Sequence, residues 1–148
     1  MKTLRLYADG AARGNPGPSG LGVVITDSEG APLWGGCRYI GIATNNRAEY
    51  LALIEGLKAV AKWNPDRLQI FMDSQLVVEQ LNGRYRVRNA SLQALHKEAT
   101  TLLTGFPARE LSHVRRDGNK GADALANRAI DEFNAGAASS AQALSEGL

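Results

Sequence analysis

A chain of 148 residues is long enough to bury the core of one domain, and its 44% apolar and 22% charged content is that of an ordinary soluble globular protein. No apolar run approaches the ~18 residues of a membrane-spanning helix, and the start MKTLRLYADG lacks a signal peptide's apolar stretch, so the sequence points to a cytoplasmic location. A formal charge of +2 is too small to argue for a polyanionic partner by itself, and a lone cysteine, Cys37, excludes an internal disulfide.

Residues 3–9 alternate, with Leu4, Leu6 and Ala8 on one face and Arg5, Tyr7 and Asp9 on the other, which predicts a strand. GAARGNPGPSG (10–20) reads as a turn-rich loop. Strands follow over 21–27 and roughly 32–40, joined by a short turn at Ser28-Glu29-Gly30, as in an antiparallel meander. TNNRAEYLALIEGL opens a helix of about 46–62, whose apolar stripe is Tyr50, Leu53, Ile54 and Leu57. A strand at 67–73 precedes a short helix at about 74–82, stopped by Gly83. A longer helix begins near Asn89 or Ser91, a fifth strand covers 108–114, and GADALANRAIDEF forms the last helix. Residues 135–148 are Ala/Ser-rich without clear periodicity, so residues 1–134 are expected to form the domain and the remainder a disordered tail. Three hairpin-linked strands followed by β-α-β crossovers imply an α/β fold with one mixed sheet and helices packed on it, and sites in such sheets gather at the carboxyl ends of parallel strands.

Four acids sit at element ends: Asp9 at the end of the first strand, Glu49 at the start of the crossover helix, Asp73 at the end of the fourth strand and Asp123 at the start of the last helix. Each has an ordinary structural use. Asn46-x-x-Glu49 fits a capping box, Asp73 can cap the next helix, Asp123 suits the helix dipole and Asp9-Gly10 suits a turn. Parallel pairing of the first and fourth strands would place Asp9 and Asp73 side by side. Carboxylates so crowded repel unless a counter-cation joins them, and hard divalent cations such as Mg²⁺ prefer such oxygens.

YADGAARGNPGPSG, TNNRAEYLALIEGL, FMDSQLVVEQL and HVRRDGNKGADALANRAI, in that order, resemble the signature segments of the ribonuclease HI family over roughly residues 3–133. The resemblance implies a ribonuclease H-like fold, a five-stranded mixed sheet of order 3-2-1-4-5 flanked by helices. It implies a metal-dependent endonuclease cutting the RNA strand of RNA–DNA hybrids and leaving 5′-phosphate and 3′-hydroxyl ends. Asp9, Glu49, Asp73 and Asp123 would hold two Mg²⁺ ions, with Mn²⁺ as a substitute, and two ions can activate water and stabilise the departing oxygen. His113 matches a histidine that helps move protons or release product, although the segment is of a shorter kind.

Asn15, Asn45, Asn46 and Gln75 would contact RNA 2′-hydroxyls, which both donate and accept and so suit amide side chains. Thr44 and Asn89 match a pocket for a DNA phosphate. Contacts of this kind fix register without reading bases. The lysine-rich protrusion of some members is missing, and only NGRYRVRN stands in its place, with Arg84, Arg86 and Arg88 as partial substitutes. The partner expected is an RNA–DNA hybrid, the enzyme a monomer away from membranes. The competing reading is a catalytically silent module of the same fold, which loss of one acid would have favoured.

Overall fold

The structure, a computed structural model, describes residues 2–146, and side chains only through residue 136. Its sheet has the order β3-β2-β1-β4-β5. The strands are β1 (Thr3–Ala12), β2 (Gly17–Asp27), β3 (Pro32–Ala43), β4 (Arg67–Met72) and β5 (Arg109–His113). The helices are α1 (Asn45–Val60), α2 (Gln75–Leu81), α3 (Ala90–Leu103) and α4 (Lys120–Glu146). β1–β2 and β2–β3 pair antiparallel, while β1–β4 and β4–β5 pair parallel, which is the mixed sheet expected from the hairpin-then-crossover order.

Alternation along β1 sends Leu4, Leu6 and Ala8 into one face of the sheet, where α1 covers them with Tyr50, Leu53 and Leu57, and α3 closes over α1 with Leu92, Leu95 and Ala99. Burying each large apolar side chain stabilises the fold by about 1.5–3 kcal/mol, so this stripe fixes the seat of α1. The opposite face carries α4 across β2, β1 and β3. That packing is unusually close. A Cβ added at Gly22 would lie 2.1 Å from the Ala122 carbonyl oxygen, so the helix backbone rests directly on the strand.

Two expectations are corrected, and two structural alternatives for the acids are excluded. The segment 10–20 is mostly strand, and only residues 13–16 leave the ladder. Its glycines include Gly17 and Gly20, which are needed for close backbone approach. The capping box at α1 does not form, because Thr44 is the N-cap and its side chain accepts from the Arg47 N–H at 3.2 Å. Likewise Ser74, not Asp73, caps α2. Both substitutions leave the acids free for other work. The last helix also continues to Glu146, across most of the segment read as a disordered tail. Alanine is the strongest helix former, and nothing there breaks the helix but Gly136. Residues 147–148 of that tail lie outside the described residues.

Candidate active site

Every acid in the site is delivered by a backbone constraint. Asp9 is the seventh residue of β1 and lies opposite Gly22 of β2. β1 and β4 pair in parallel with Tyr7 opposite Phe71, so two residues further on Asp73 comes level with Asp9. Glu49 is the fifth residue of α1, and it arrives because Gly10 admits the helix. A Cβ at Gly10 would lie 2.2 Å from the Ala48 carbonyl carbon and 2.4 Å from the Glu49 nitrogen. Glu49 Oε1 then accepts a 3.0 Å hydrogen bond from the Gly10 N–H. On the other face, Ala122 rests on Gly22, the cross-strand partner of Asp9, and the next residue along is Asp123.

One oxygen from each of Asp9, Glu49 and Asp73 lies within 4.8 Å of the other two. Asp9 and Glu49 are only 3% and 6% exposed, which makes their crowding costly. Burial, then the hydrogen-bonding contact and charge of Glu49, then the charge of Asp73, push Asp9 up to about 11. Burial also raises Glu49, to about 7, against the lowering pull of Asp9, the Gly10 amide and the Arg116 guanidinium. Glu49 Oε2 is buried with no hydrogen-bond partner. An orphaned carboxylate oxygen beside two more carboxylates is a set of hard donors, and it fits a divalent cation. Asp123 stands outside the tight three but lines the same pocket of about 370 Å³, together with Asn45, Asn46, Arg116 and Asn127. Its Oδ1 and main-chain oxygen accept from Asn127 Nδ2 at 3.4 and 3.1 Å.

Residues 7–129 match a family model described as reverse transcriptase-like. The ribonuclease HI of Halobacterium salinarum is 45% identical over 87% of this chain, which spans 65% of that protein's length. The ribonuclease H of Pseudomonas entomophila is 36% identical, over 90% of this chain and 97% of that protein. The crystal structure of LC11-RNase H1 in complex with an RNA/DNA hybrid superimposes with a TM-score of 0.83, at 39% identity, over 88% of this chain and 98% of that one. The chain belongs to the ribonuclease HI family.

Within this family member the remaining expected site residues divide into two groups. Asn45 and Asn46 reach the acidic pocket. Asn15 stands beside them, its Oδ1 accepting from the Asn45 N–H at 3.1 Å. Thr44 and Asn89 are both N-caps, and Asn89 Oδ1 accepts from the Ser91 and Leu92 amides at 2.9 and 3.2 Å. Gln75 opens α2 and is exposed. His113 ends β5, exposed, with its Nε2 3.2 Å from the Asp73 carbonyl oxygen, and therefore carries its proton on Nε2 when donating there. It touches the rim through the main chain of Asp73 rather than through a carboxylate.

α2 and α3 are joined by residues 82–89 alone, so this is the family form without a basic protrusion. The link is docked. Gln80 Nε2 donates to the Arg86 carbonyl at 3.4 Å, Gln80 Oε1 accepts from the buried Tyr50 hydroxyl at 2.7 Å, and Gln93 Nε2 donates to the Val87 carbonyl at 3.0 Å. Sequence reasoning missed Arg116, Asn119 and Asn127 at the site. Asn119 and Asn127 stand four residues before and after Asp123, one helical turn away on either side, and that spacing was the available signal.

Proposed function

We propose that this chain is an endonuclease that hydrolyses the RNA strand of RNA–DNA hybrids, leaving 5′-phosphate and 3′-hydroxyl ends. The observation that carries the proposal is the trio Asp9, Glu49 and Asp73, with oxygens within 4.8 Å of one another and a buried, unpartnered Glu49 Oε2 among them. Asp9, Glu49, Asp73 and, from the pocket edge, Asp123 would hold two Mg²⁺ ions, or Mn²⁺ in their place. Such ions activate a water, stabilise the departing 3′ oxygen and neutralise the charge that otherwise forces a proton onto the buried acids.

The chain's own residues do the rest. The pocket opens beside Asn45 and Asn46, and Asn15 is tied to the Asn45 backbone, so three amide side chains line one approach to the acids. Amide groups pair with a 2′-hydroxyl in both senses, and they select RNA over DNA in the shallow groove where that group is displayed. Gln75 extends the same recognition from the start of α2. Thr44 and Asn89 offer short polar side chains at helix N-termini, where backbone N–H groups favour a phosphate of the DNA strand. Arg116, in the pocket wall, faces the scissile phosphate's charge. His113 moves a proton at the rim of β5. Catalysis is carried by residues 1–134, acting as a monomer in the cytoplasm.

The test is a hybrid carrying label on its RNA strand, incubated with Mg²⁺ or with a chelator. The expected result is RNA-strand cleavage with Mg²⁺ alone, and no cutting of duplex DNA. Cleavage that persists in chelator, or an intact hybrid with Mg²⁺, would overturn the proposal.

A further inference from the structure

One buried polar residue is not accounted for by the chemistry above. Asn119 lies in the turn before α4 and is 1% exposed. Its Nδ2 donates to the Ala8 carbonyl at 3.0 Å, one residue before Asp9, and to Asp73 Oδ2 at 3.3 Å. Both partners only accept, so the amide has one possible orientation. Its Oδ1 is consequently buried with no partner. Leaving a polar atom so costs about 1–3 kcal/mol, which an apolar residue of the same outline would avoid. The polar function of this side chain is therefore its two donated bonds, both aimed at the acidic rim.

We propose that Asn119 is a positioning residue for the acidic site, holding the Asp73 carboxylate in its metal-facing position and tying the turn ahead of Asp123 to β1. This rests on the metal-dependent nuclease reading. One oxygen of Asp73 lies within 4.8 Å of those of Asp9 and Glu49, and Asp73 takes no part in capping α2, which Ser74 does. Without a donor on Oδ2, the carboxylate is free to rotate away from Asp9 and Glu49. Asn119 supplies that donor from the segment that carries Asp123. A single side chain thus joins β1, the end of β4 and the approach to α4 at the place where their acids must meet. A group that orients a metal ligand typically accounts for about 10–100-fold in metal affinity or activity.

The test compares the full chain with Asn119→Leu, which keeps the branched outline without donors, and Asn119→Ser, which cannot overpack the site. Three quantities are read: kcat and KM on a labelled hybrid, the Mg²⁺ concentration for half-maximal rate, and the Mg²⁺-induced rise in thermal midpoint. Both variants are expected to lose about tenfold or more in kcat with KM changed less than about threefold, and to need more Mg²⁺. The Mg²⁺-induced rise should shrink in each. In an Asp73→Asn background, Asn119→Leu should shrink it no further, because the two residues act through one carboxylate. Should the Leu variant not fold, the Ser variant carries the same readings. A lowered metal-free midpoint with kcat and the Mg²⁺-induced rise both unchanged would make Asn119 a pin for the fold alone and overturn the proposal. If the unmodified protein binds Mg²⁺ but leaves the hybrid intact, the nuclease reading fails while the thermal readings still decide the role of Asn119.

Discussion

The two helices that bring acids to Asp9 approach the sheet by the same device and end differently. α1 presses its backbone onto Gly10, and α4 presses its backbone onto Gly22, directly across from Asp9. Glu49 of α1 finishes 6% exposed, tied to the Gly10 N–H, with its other oxygen orphaned. Asp123 of α4 finishes half-buried, held by the side chain of Asn127, which Arg13 in turn contacts at 3.4 Å. A backbone contact gives a fixed ligand, whereas a side-chain contact gives an adjustable one. The α1 side therefore presents one rigidly held carboxylate, and the α4 side presents a half-buried one held by a side chain.

The sharpest way to break this comparison is to change the buried trio. Asp9→Asn or Glu49→Gln should reduce hybrid cleavage by about a thousandfold or more, since each removes several kcal/mol of transition-state charge stabilisation. Either should raise the metal-free thermal midpoint at neutral pH, because an acid crowded by like charge has been removed. Full activity in either variant would remove Glu49 and Asp9 from the site. Next in size is Gly10→Ala. The added carbon meets backbone 2.2 Å away, so α1 must shift. The expected cost is about 1–3 kcal/mol of stability by denaturant titration, with cleavage impaired by the displaced Glu49.

Protonation offers a third test. Asp9 and Glu49 are both raised above the ordinary carboxylate range, by burial first; the contact and charge of Glu49 raise Asp9 further, whereas Asp9 and the Gly10 amide hold Glu49 down. The folded chain therefore binds more protons than the unfolded chain. The stability this confers is complete below about pH 4 and is lost as pH rises through about 7 for Glu49 and on toward about 11 for Asp9. In chelator, the thermal midpoint should fall steadily from about pH 5 to about pH 9, and Asp9→Asn should flatten that slope. A midpoint that rises over this range would contradict the protonation of these buried acids in the folded chain. The smallest effect belongs to the adjustable side: Asp123→Asn should slow cleavage by about tenfold rather than a thousandfold. Equal losses at Asp123 and Glu49 would erase the distinction between the two helices.

Much of this was legible before any coordinates. Strand alternation put Asp9 and Asp73 at element ends, and the short hairpins followed by crossovers implied the mixed sheet that pairs their strands in parallel. Glu49 was visible as an acid at the edge of an apolar stripe. Asn46-x-x-Glu49 satisfies a capping box on paper, and that alternative falls only in space, where Thr44, two residues earlier, takes the cap. The glycines misled for a related reason. GAARGNPGPSG has the composition of a loop, yet its glycines serve the turn at 13–16 and the contacts between strand and helix backbones. Composition records that a side chain is missing and does not say whether a bend or a neighbour required it. Asn119 was hidden in GNKG, where an asparagine beside glycines reads as a turn residue, and only the tertiary contact to Ala8, 111 residues away, reveals its use.

The central claim is that Asp9, Glu49 and Asp73 converge in order to hold divalent cations. Its most direct test is anomalous diffraction from a crystal soaked in Mn²⁺. The account predicts density at the trio, with Asp9 and the orphaned Glu49 Oε2 among the ligands and Asp123 at its edge. Full soaking with no density in bonding range of these oxygens, in a protein that still cleaves the hybrid, would contradict it.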